Sequence, residues 1–353
     1  MSGVTTANPA MRIGKFKGEI LAHAVAAEVL GITGQQRTMP KNHGTQIVYR
    51  RYLPYGASLG ASPGQVDWDA VNRPKADPAA HQLAEGVTPS ADKLVPQDIT
   101  ATMRQYGCLY QFTDQAADMY EDDIPMEMKR QCGERIGLLR EMIRYGSIKS
   151  CANVFYAGNA SSRNAVASKI TLNVLRKASR NLQANHAKRV TQILAPSANI
   201  STRAVEASYL VFVHSDAESD IRDLPGFTPV ASYGSRKAVS PYELGSAENF
   251  RFITSPELAP YEGAGAAVGA TGLESVGGTN VDVYPFIVTG EDAWGQLTLR
   301  GKDSIDPTYI PVGQKSSADP LGQRGFVGAK FYMQCTLLNE GWMGIIQAGV
   351  SAL

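Results

Sequence analysis

The sequence predicts an α+β fold that carries an extended arm, and three observations predict it. Two β-like runs, Gln46–Leu53 and Gln97–Phe112, flank a long tip rich in Pro, Gly and Asp. Met128, Cys132, Ile136, Leu139 and Ile143 recur at the spacing of one helix face. From about residue 160 onward, helical patterns alternate with short apolar strands, which is the pattern of a mixed α/β unit.

Taken in order, residues 1–15 are small and polar. Lys15–Leu30 reads as a short helix with Phe16, Ile20, Ala24 and Ala27 at helical spacing, ending at Gly31, and Gly34 to Gly44 reads as a loop. The arm follows. Its tip holds Pro54, Gly56, Gly60, Pro63, Gly64, Pro74, Pro78, Gly86, Pro89 and Pro96. A structureless connection of about 40 residues is rare inside a compact domain, so the arm is expected to need another surface to order it, most simply a second copy of the chain. In the second run, Ile99, Ala101, Met103 and Leu109 alternate with more polar or aromatic residues, and Gly107 is placed as a bulge or bend. The acids of residues 118–123 and Pro125 then mark a helix start. The stripe from Met128 to Ile143 defines a helix of roughly 22 residues, with Arg140, Glu141 and Arg144 placed off the stripe.

A second helix is predicted from Ser168, as N-cap, to about Ala187, with Ile170, Val174, Leu175, Ala178 and Leu182 inward. Tyr209–Val213 reads as a buried strand leading into a helix at Ser215–Leu224. Phe250–Thr254 and Val281–Thr289 read as strands, and 258–280 as a Gly/Ala-rich surface loop. Gly325–Leu338 and Trp342–Gly349 read as strands around a turn at Asn339-Glu340-Gly341.

A hydrophobic content of 43% in 353 residues suffices for one large or two ordinary domains. No apolar run has the length of a membrane span, and the first residues lack the pattern of a signal peptide, so a cytosol-like compartment and no membrane partner are expected. The four cysteines, Cys108, Cys132, Cys151 and Cys335, form no C-x-x-C pair and have no His at ligand spacing, which leaves them as buried, inert thiols. The net charge of +1 is distributed in blocks: +5 over residues 1–53, −7 over 54–125, +10 over 126–200 and −7 over 201–353. Solvated surfaces, complementarity between copies and contact of the basic blocks with nucleic acid all fit that pattern.

Catalytic motifs fail on geometry. Gly263-Ala-Gly-Ala-Ala-Val-Gly269 is one residue too long for a dinucleotide fingerprint and follows no strand. The run from Gly295 to Lys302 is one residue too long for a phosphate loop, with Asp303 where a hydroxyl should hold magnesium. His214-Ser215-Asp216 holds triad residue types, but neighbours in sequence cannot converge on one carbon, and a helix cap at Ser215 or Asp216 explains them. Asp118, Glu121, Asp122 and Asp123 suit a helix N-terminus as well as a cation. No catalytic residue, cofactor or metal is expected.

Ordered strings run along most of the chain: Tyr52-Leu-Pro-Tyr-Gly56, Glu85-Gly-Val-Thr-Pro89, Asp98-Ile-Thr-Ala-Thr102, Gln105-Tyr-Gly107, Thr113-Asp-Gln-Ala116, Ala157-Gly-Asn159, Ser232-Tyr-Gly-Ser235, Arg251-Phe-Ile-Thr-Ser-Pro256, Asp282-Val-Tyr-Pro285, Gly290-Glu-Asp-Ala-Trp-Gly295 and Asp319-Pro-Leu-Gly-Gln-Arg-Gly325. In these the chain resembles the major capsid proteins of tailed bacteriophages, in the branch of short-tailed phages with a large virion RNA polymerase. The resemblance implies the tailed-phage capsid fold: an N-terminal arm at 1–45, an extended β-hairpin loop at 46–112, and a peripheral domain at 113–160 built on a long spine helix and completed by about 325–340. It also implies a mixed α/β axial domain at 161–324, with C-terminal strands at 325–353. It implies a structural protein that assembles with itself into pentamers and hexamers of an icosahedral shell around double-stranded DNA in the virion, after assembly in the host cytoplasm. Separate scaffolding, portal and decoration proteins are the implied partners.

Inter-subunit contacts are expected at Arg50, Arg51, Tyr52, Asp67, Asp69, Asp77, Glu85, Asp92 and Lys93, with Met128, Cys132, Ile136, Leu139 and Ile143 as the spine-helix core. Some members of the fold cross-link a loop lysine to a neighbour's asparagine; the loop lysines here, Lys75 and Lys93, read as solvated or ion-paired. The alternatives are a bacterial nanocompartment shell of the same fold, an attachment or decoration protein, and an α/β enzyme.

Overall fold

The computed structural model describes residues 28–40, 42, 44–53, 58–59, 66–67, 82–88, 94–120, 123–194, 202–234, 236–269, 271–299, 305–315, 317 and 319–353. Most of the helix expected at Lys15–Leu30 lies outside them. Its described end is a 3-10 turn at Leu30–Ile32, so Gly31 sits inside a turn and does not end a helix.

One helix and two sheets organise the chain. The helix spans Ile124–Ile148, 25 residues, about 37 Å at 1.5 Å per residue. Asp123 caps it by accepting from the Met126 N–H at 3.1 Å, and Pro125 occupies the first turn, where its missing N–H costs nothing. A short helix at Asp114–Met119 precedes it, capped by Thr113; the acid-rich sequence had suggested one helix start there, and the chain makes two.

The first sheet lies against this helix. Its centre is the long strand Arg324–Leu337, which pairs antiparallel with Arg104–Thr113, Asp306–Ile310 and Trp294–Leu299. The outer strand Gln35–Met39 runs parallel to Trp294–Leu299. This last strand replaces the loop expected from Gly34 to Gly44. Its residues Gln-Gln-Arg-Thr are mostly exposed, so only backbone pairing reveals it, and no apolar alternation could. Cys108, Phe331, Met333 and Ala329 from the sheet meet Cys132 and Ile136 from the helix. Gly107 does not mark a bulge: its register with Lys330 is regular, and a Cβ there would come within 2.8 Å of the Ala329 carbonyl oxygen. Close strand approach, not a bend, is what demands glycine.

The second sheet has eight strands. Its core is Tyr209–Val213 flanked by Phe250–Thr254, parallel, and Tyr284–Thr289, antiparallel, with Met343–Ala348 beyond. Side chains alternate between two cores. Tyr209, Val211, Val213, Phe250, Phe252, Phe286, Val288 and Ile346 face the helix Leu172–Ala184, which contributes Val174, Leu175, Ala178 and Leu182. Leu210, Phe212, Ile253, Ile287 and Ile345 face the other way, onto Val29, Leu30, Tyr145, Ile148 and Trp294. Burial on both faces explains the unbroken apolar run at 209–213. Each fully buried side chain of this size contributes about 1.5–3 kcal/mol.

Several predicted boundaries move. Ser168 is not a helix cap: it lies in an extended segment whose carbonyl accepts from Gly349, and Thr171 precedes the helix. Ser215–Leu224 divides into a 3-10 turn, Ser215–Ala217, and one short helix, Glu218–Arg222, and the cap is the His214 ring, which accepts from the Asp216 N–H at 3.2 Å. Residues 258–280 are not simply a surface loop. Leu258 and Leu273 are buried, and Gly265 packs so close to the Val281 and Val166 carbonyls that a Cβ would fall within 2.9 Å of both. Among the described residues, no helix is long and apolar enough to cross a membrane.

Gly107→Ala should destabilise the protein by about 1–3 kcal/mol in urea denaturation, because the backbone it would strike cannot step aside. A neutral effect would show that the two strands lie further apart than described.

Candidate assembly interface

The arm begins as a two-stranded ribbon, Gln46–Tyr52 against Pro96–Thr102, with Gln46 opposite Thr102 and Tyr52 opposite Pro96. The expected second run therefore splits at Met103: its first half pairs within the arm and its second half enters the first sheet. Contrary to the expectation that the arm cannot order itself, its base folds on its own chain. Ile99 and Ala101 are buried, and with Ile47, Tyr49 and Met103 they pack on Met39, Leu297 and Leu299 of the first sheet. The period-two alternation then leaves the opposite face outward. Val48 is 53% exposed and Tyr52 59%.

On that outer face, Arg50 donates from Nε and Nη2 to the two carboxylate oxygens of Asp98, each at 2.7 Å. These hydrogen bonds hold the Asp98 carboxyl below its usual range. Arg51, half-buried, donates to Gln97 Oε1 at 2.6 Å. Asp67 ends a two-residue strand, Val66–Asp67, paired with Ser58–Leu59. Glu85 stands exposed in a turn with Gly86 at φ +74°. Asp69, Lys75, Asp77, Asp92 and Lys93 lie outside the described residues. Leu83, Val87 and Leu94 are exposed as well, so the arm exposes apolar as well as charged groups.

The root of the arm is fixed by the long helix. Met128, Cys132 and Ile136 are buried, and Leu139 and Ile143 are half-buried. The last turns bury a different face: Glu141, Arg144, Tyr145 and Ile148. Placing Glu141 and Arg144 off the apolar stripe was correct, but both are buried all the same. Glu141 Oε1 accepts from the Val29 and Leu30 N–H groups at 3.0 and 2.9 Å, satisfying the backbone where the N-terminal segment enters the core. Arg144 donates to Glu141 Oε2 at 3.2 Å, to Glu28 Oε2 at 2.9 Å and to Gln296 Oε1 at 3.0 Å. Burial pushes the Glu141 carboxyl up, against the pull of the two N–H groups and Arg144. Beside this knot, Gly34 holds φ +90° under the Trp294 ring, where a Cβ would fall 2.7 Å from ring carbon, and Trp294 Nε1 donates to Thr33 Oγ1 at 3.3 Å. The signal for the knot was present as a second i, i+3, i+4, i+7 set, 141, 144, 145 and 148, rotated from the first.

No protein-family model matches the chain. Over 341 residues it is 21% identical to the major capsid protein of Pseudomonas phage KPP21, an alignment covering 88% of this chain and 85% of that one. The capsid of Ralstonia phage GP4 superposes with a TM-score of 0.66 at 12% identity, covering 99% of both chains. The capsid of cyanophage Pam1 does so with a TM-score of 0.57 at 15% identity, again over 99% of both. The fold is that of the tailed-phage capsid proteins, as the resemblance implied. The sequence relative is a phage major capsid protein, and both solved structures are phage capsids.

Arg144→Met would leave a buried carboxylate without its cation and should cost about 3–5 kcal/mol in urea denaturation; a loss below about 1 kcal/mol would contradict the knot. Because Glu141 titrates higher folded than unfolded, it adds stability that is complete below the ordinary carboxylate range and lost as pH rises through its folded value. The stability of the wild type relative to Glu141→Gln should therefore fall as pH rises above the ordinary carboxylate range, measured by urea midpoints.

Proposed function

We propose that this chain builds an icosahedral shell of pentamers and hexamers around double-stranded DNA, with its hairpin arm laid over a neighbouring copy. The observation that carries the proposal is the two-sided arm: one face is anchored on its own sheet and the other presents Val48, Arg50 and Tyr52 outward. An exposed apolar and charged ribbon on a rigid root is suited to clasping another molecule. The sequence relationship to a phage major capsid protein makes a second copy the natural partner.

In this reading residues 1–45 are the N-terminal arm, 46–112 the extended loop, 113–160 with 325–340 the peripheral domain, and 161–324 the axial domain. The sheet and long helix that meet at Cys108 and Ile136 support the peripheral assignment. The role is structural, with no catalytic site. A separate scaffold, a portal and a decoration protein would complete the particle in the host cytoplasm. The ordered strings in which the chain resembles short-tailed phages with a virion RNA polymerase place it, in this reading, in that branch. The acidic block, −7 over residues 54–125 from the arm tip to the start of the long helix, and the basic +10 segment that follows supply complementary charge between copies. Basic residues left over would face the packaged genome without sequence preference.

Charge reversal at Asp67, Asp69, Asp77, Glu85 and Asp92 should abolish or strongly reduce shells in electron micrographs of the purified protein, while the subunit stays soluble and folded. Normal shells from that variant would rule out the electrostatic clasp. Compact monomers from the unmodified protein in every condition would rule out the shell itself.

A further inference from the structure

Four thiols are buried in this chain, but only two of them meet. Cys108 lies on strand Arg104–Thr113 and Cys132 on the long helix, and their Sγ atoms are 2.8 Å apart. That is less than 1 Å beyond the length of a disulfide, about 2.04 Å. Cys151 approaches the carbonyl oxygens of Glu340 and Met343, at 3.8 and 3.9 Å, and the Asn153 backbone, and Cys335 has the Ser147 side chain as its neighbour. All four are free. The strand holding Cys108 continues from the arm, and Ile136, one turn beyond Cys132, lies in the same apolar cluster. A bond between the two sulfurs would tie the root of the arm to the helix beneath it.

We infer that Cys108 and Cys132 form a redox-active pair, which a small peroxide converts to a disulfide that staples the arm root to the long helix. One thiol, as its thiolate, attacks a peroxide oxygen; the S–O bond forms, the O–O bond breaks, and the departing hydroxide takes up a proton to become water. The second thiol attacks the resulting sulfenic sulfur; the S–S bond forms, the S–O bond breaks, and a second water leaves. The two cysteines lose two electrons and two protons, and the peroxide is reduced to two waters. The site is buried, so the oxidant must be small. Burial, and then the neighbouring Cys108, push the Cys132 thiol up to about 12, so Cys132 is held as a thiol near neutral pH and oxidation quickens as pH rises. The staple closes a loop between positions 24 apart in sequence, which restricts the unfolded chain more than the folded one. None of this depends on shell assembly.

The test treats the purified protein with dilute hydrogen peroxide at neutral and at alkaline pH, then counts thiols after denaturation and maps linked peptides by mass spectrometry. The expected result is loss of two of the four thiols, faster at alkaline pH, with a Cys108–Cys132 peptide two hydrogens lighter than its parts. The thermal midpoint of the oxidised protein should rise by several degrees and fall back on reduction. The Cys151→Ser/Cys335→Ser double variant should behave as the wild type does, and Cys108→Ser and Cys132→Ser should each form no internal disulfide. Equal alkylation of all four thiols after peroxide, or a link that involves Cys151 or Cys335, would overturn the assignment. A midpoint that is unchanged or lowered in the linked protein would overturn the staple.

Discussion

The buried pairing of Glu141 with Arg144 is the contact on which the rest of this chain depends. Three separate segments meet there: the N-terminal segment through the N–H groups of Val29 and Leu30 and the Glu28 carboxylate, the long helix through its own two residues, and the first sheet through Gln296. The second sheet closes over the same region with Leu210, Phe212 and Ile345. A charge pair out of water is costly unless every lone pair and N–H has a partner. Here both carboxylate oxygens are engaged, and Arg144 reaches three separate acceptors, so the pair specifies a single arrangement of helix, sheets and N-terminal segment.

That rigidity is what an arm requires. A two-stranded ribbon is marginal in water by itself. Here its inner face is held by Met39 and Leu297, strand partners of the sheet that the knot secures, so the base of the arm is ordered before any neighbour arrives. Such pre-organisation lowers the entropic cost of a contact between copies. In the proposed clasp the exposed residues on the outer face, Val48 and Tyr52 among them, would supply the contact energy. Charge on the arm is paired locally in part, as at Arg50 and Asp98, so in the proposed clasp steering between copies would fall to the other acids of the segment.

Patterns of period two and 3.6 that bury one face were legible in the sequence. The stripe at Met128, Cys132 and Ile136, the run Tyr209–Val213 and the strand around Gly325–Leu338 all stand where periodicity put them, because local burial writes itself into local order. Pairing between distant segments does not. The edge strand Gln35–Met39 has polar residues and is defined only by hydrogen bonds to Trp294–Leu299. Gly107 and Gly34 looked like interruptions, yet each is glycine because another group, the Ala329 carbonyl or the Trp294 ring, comes too close for a side chain.

By itself the sequence determined the local patterns: β runs on either side of a Pro- and Gly-rich segment, a long amphipathic helix and an unbroken apolar strand, since residue spacing is enough to establish these. Only the tertiary structure decided that the arm is anchored at home, that Glu141 and Arg144 are interior, and that Cys108 and Cys132 touch. The physical reason is distance along the chain. Cys108 and Cys132 lie 24 positions apart in sequence, and Arg144 and Gln296 lie 152 apart. Residues so far apart share no periodicity, and only packing brings them together.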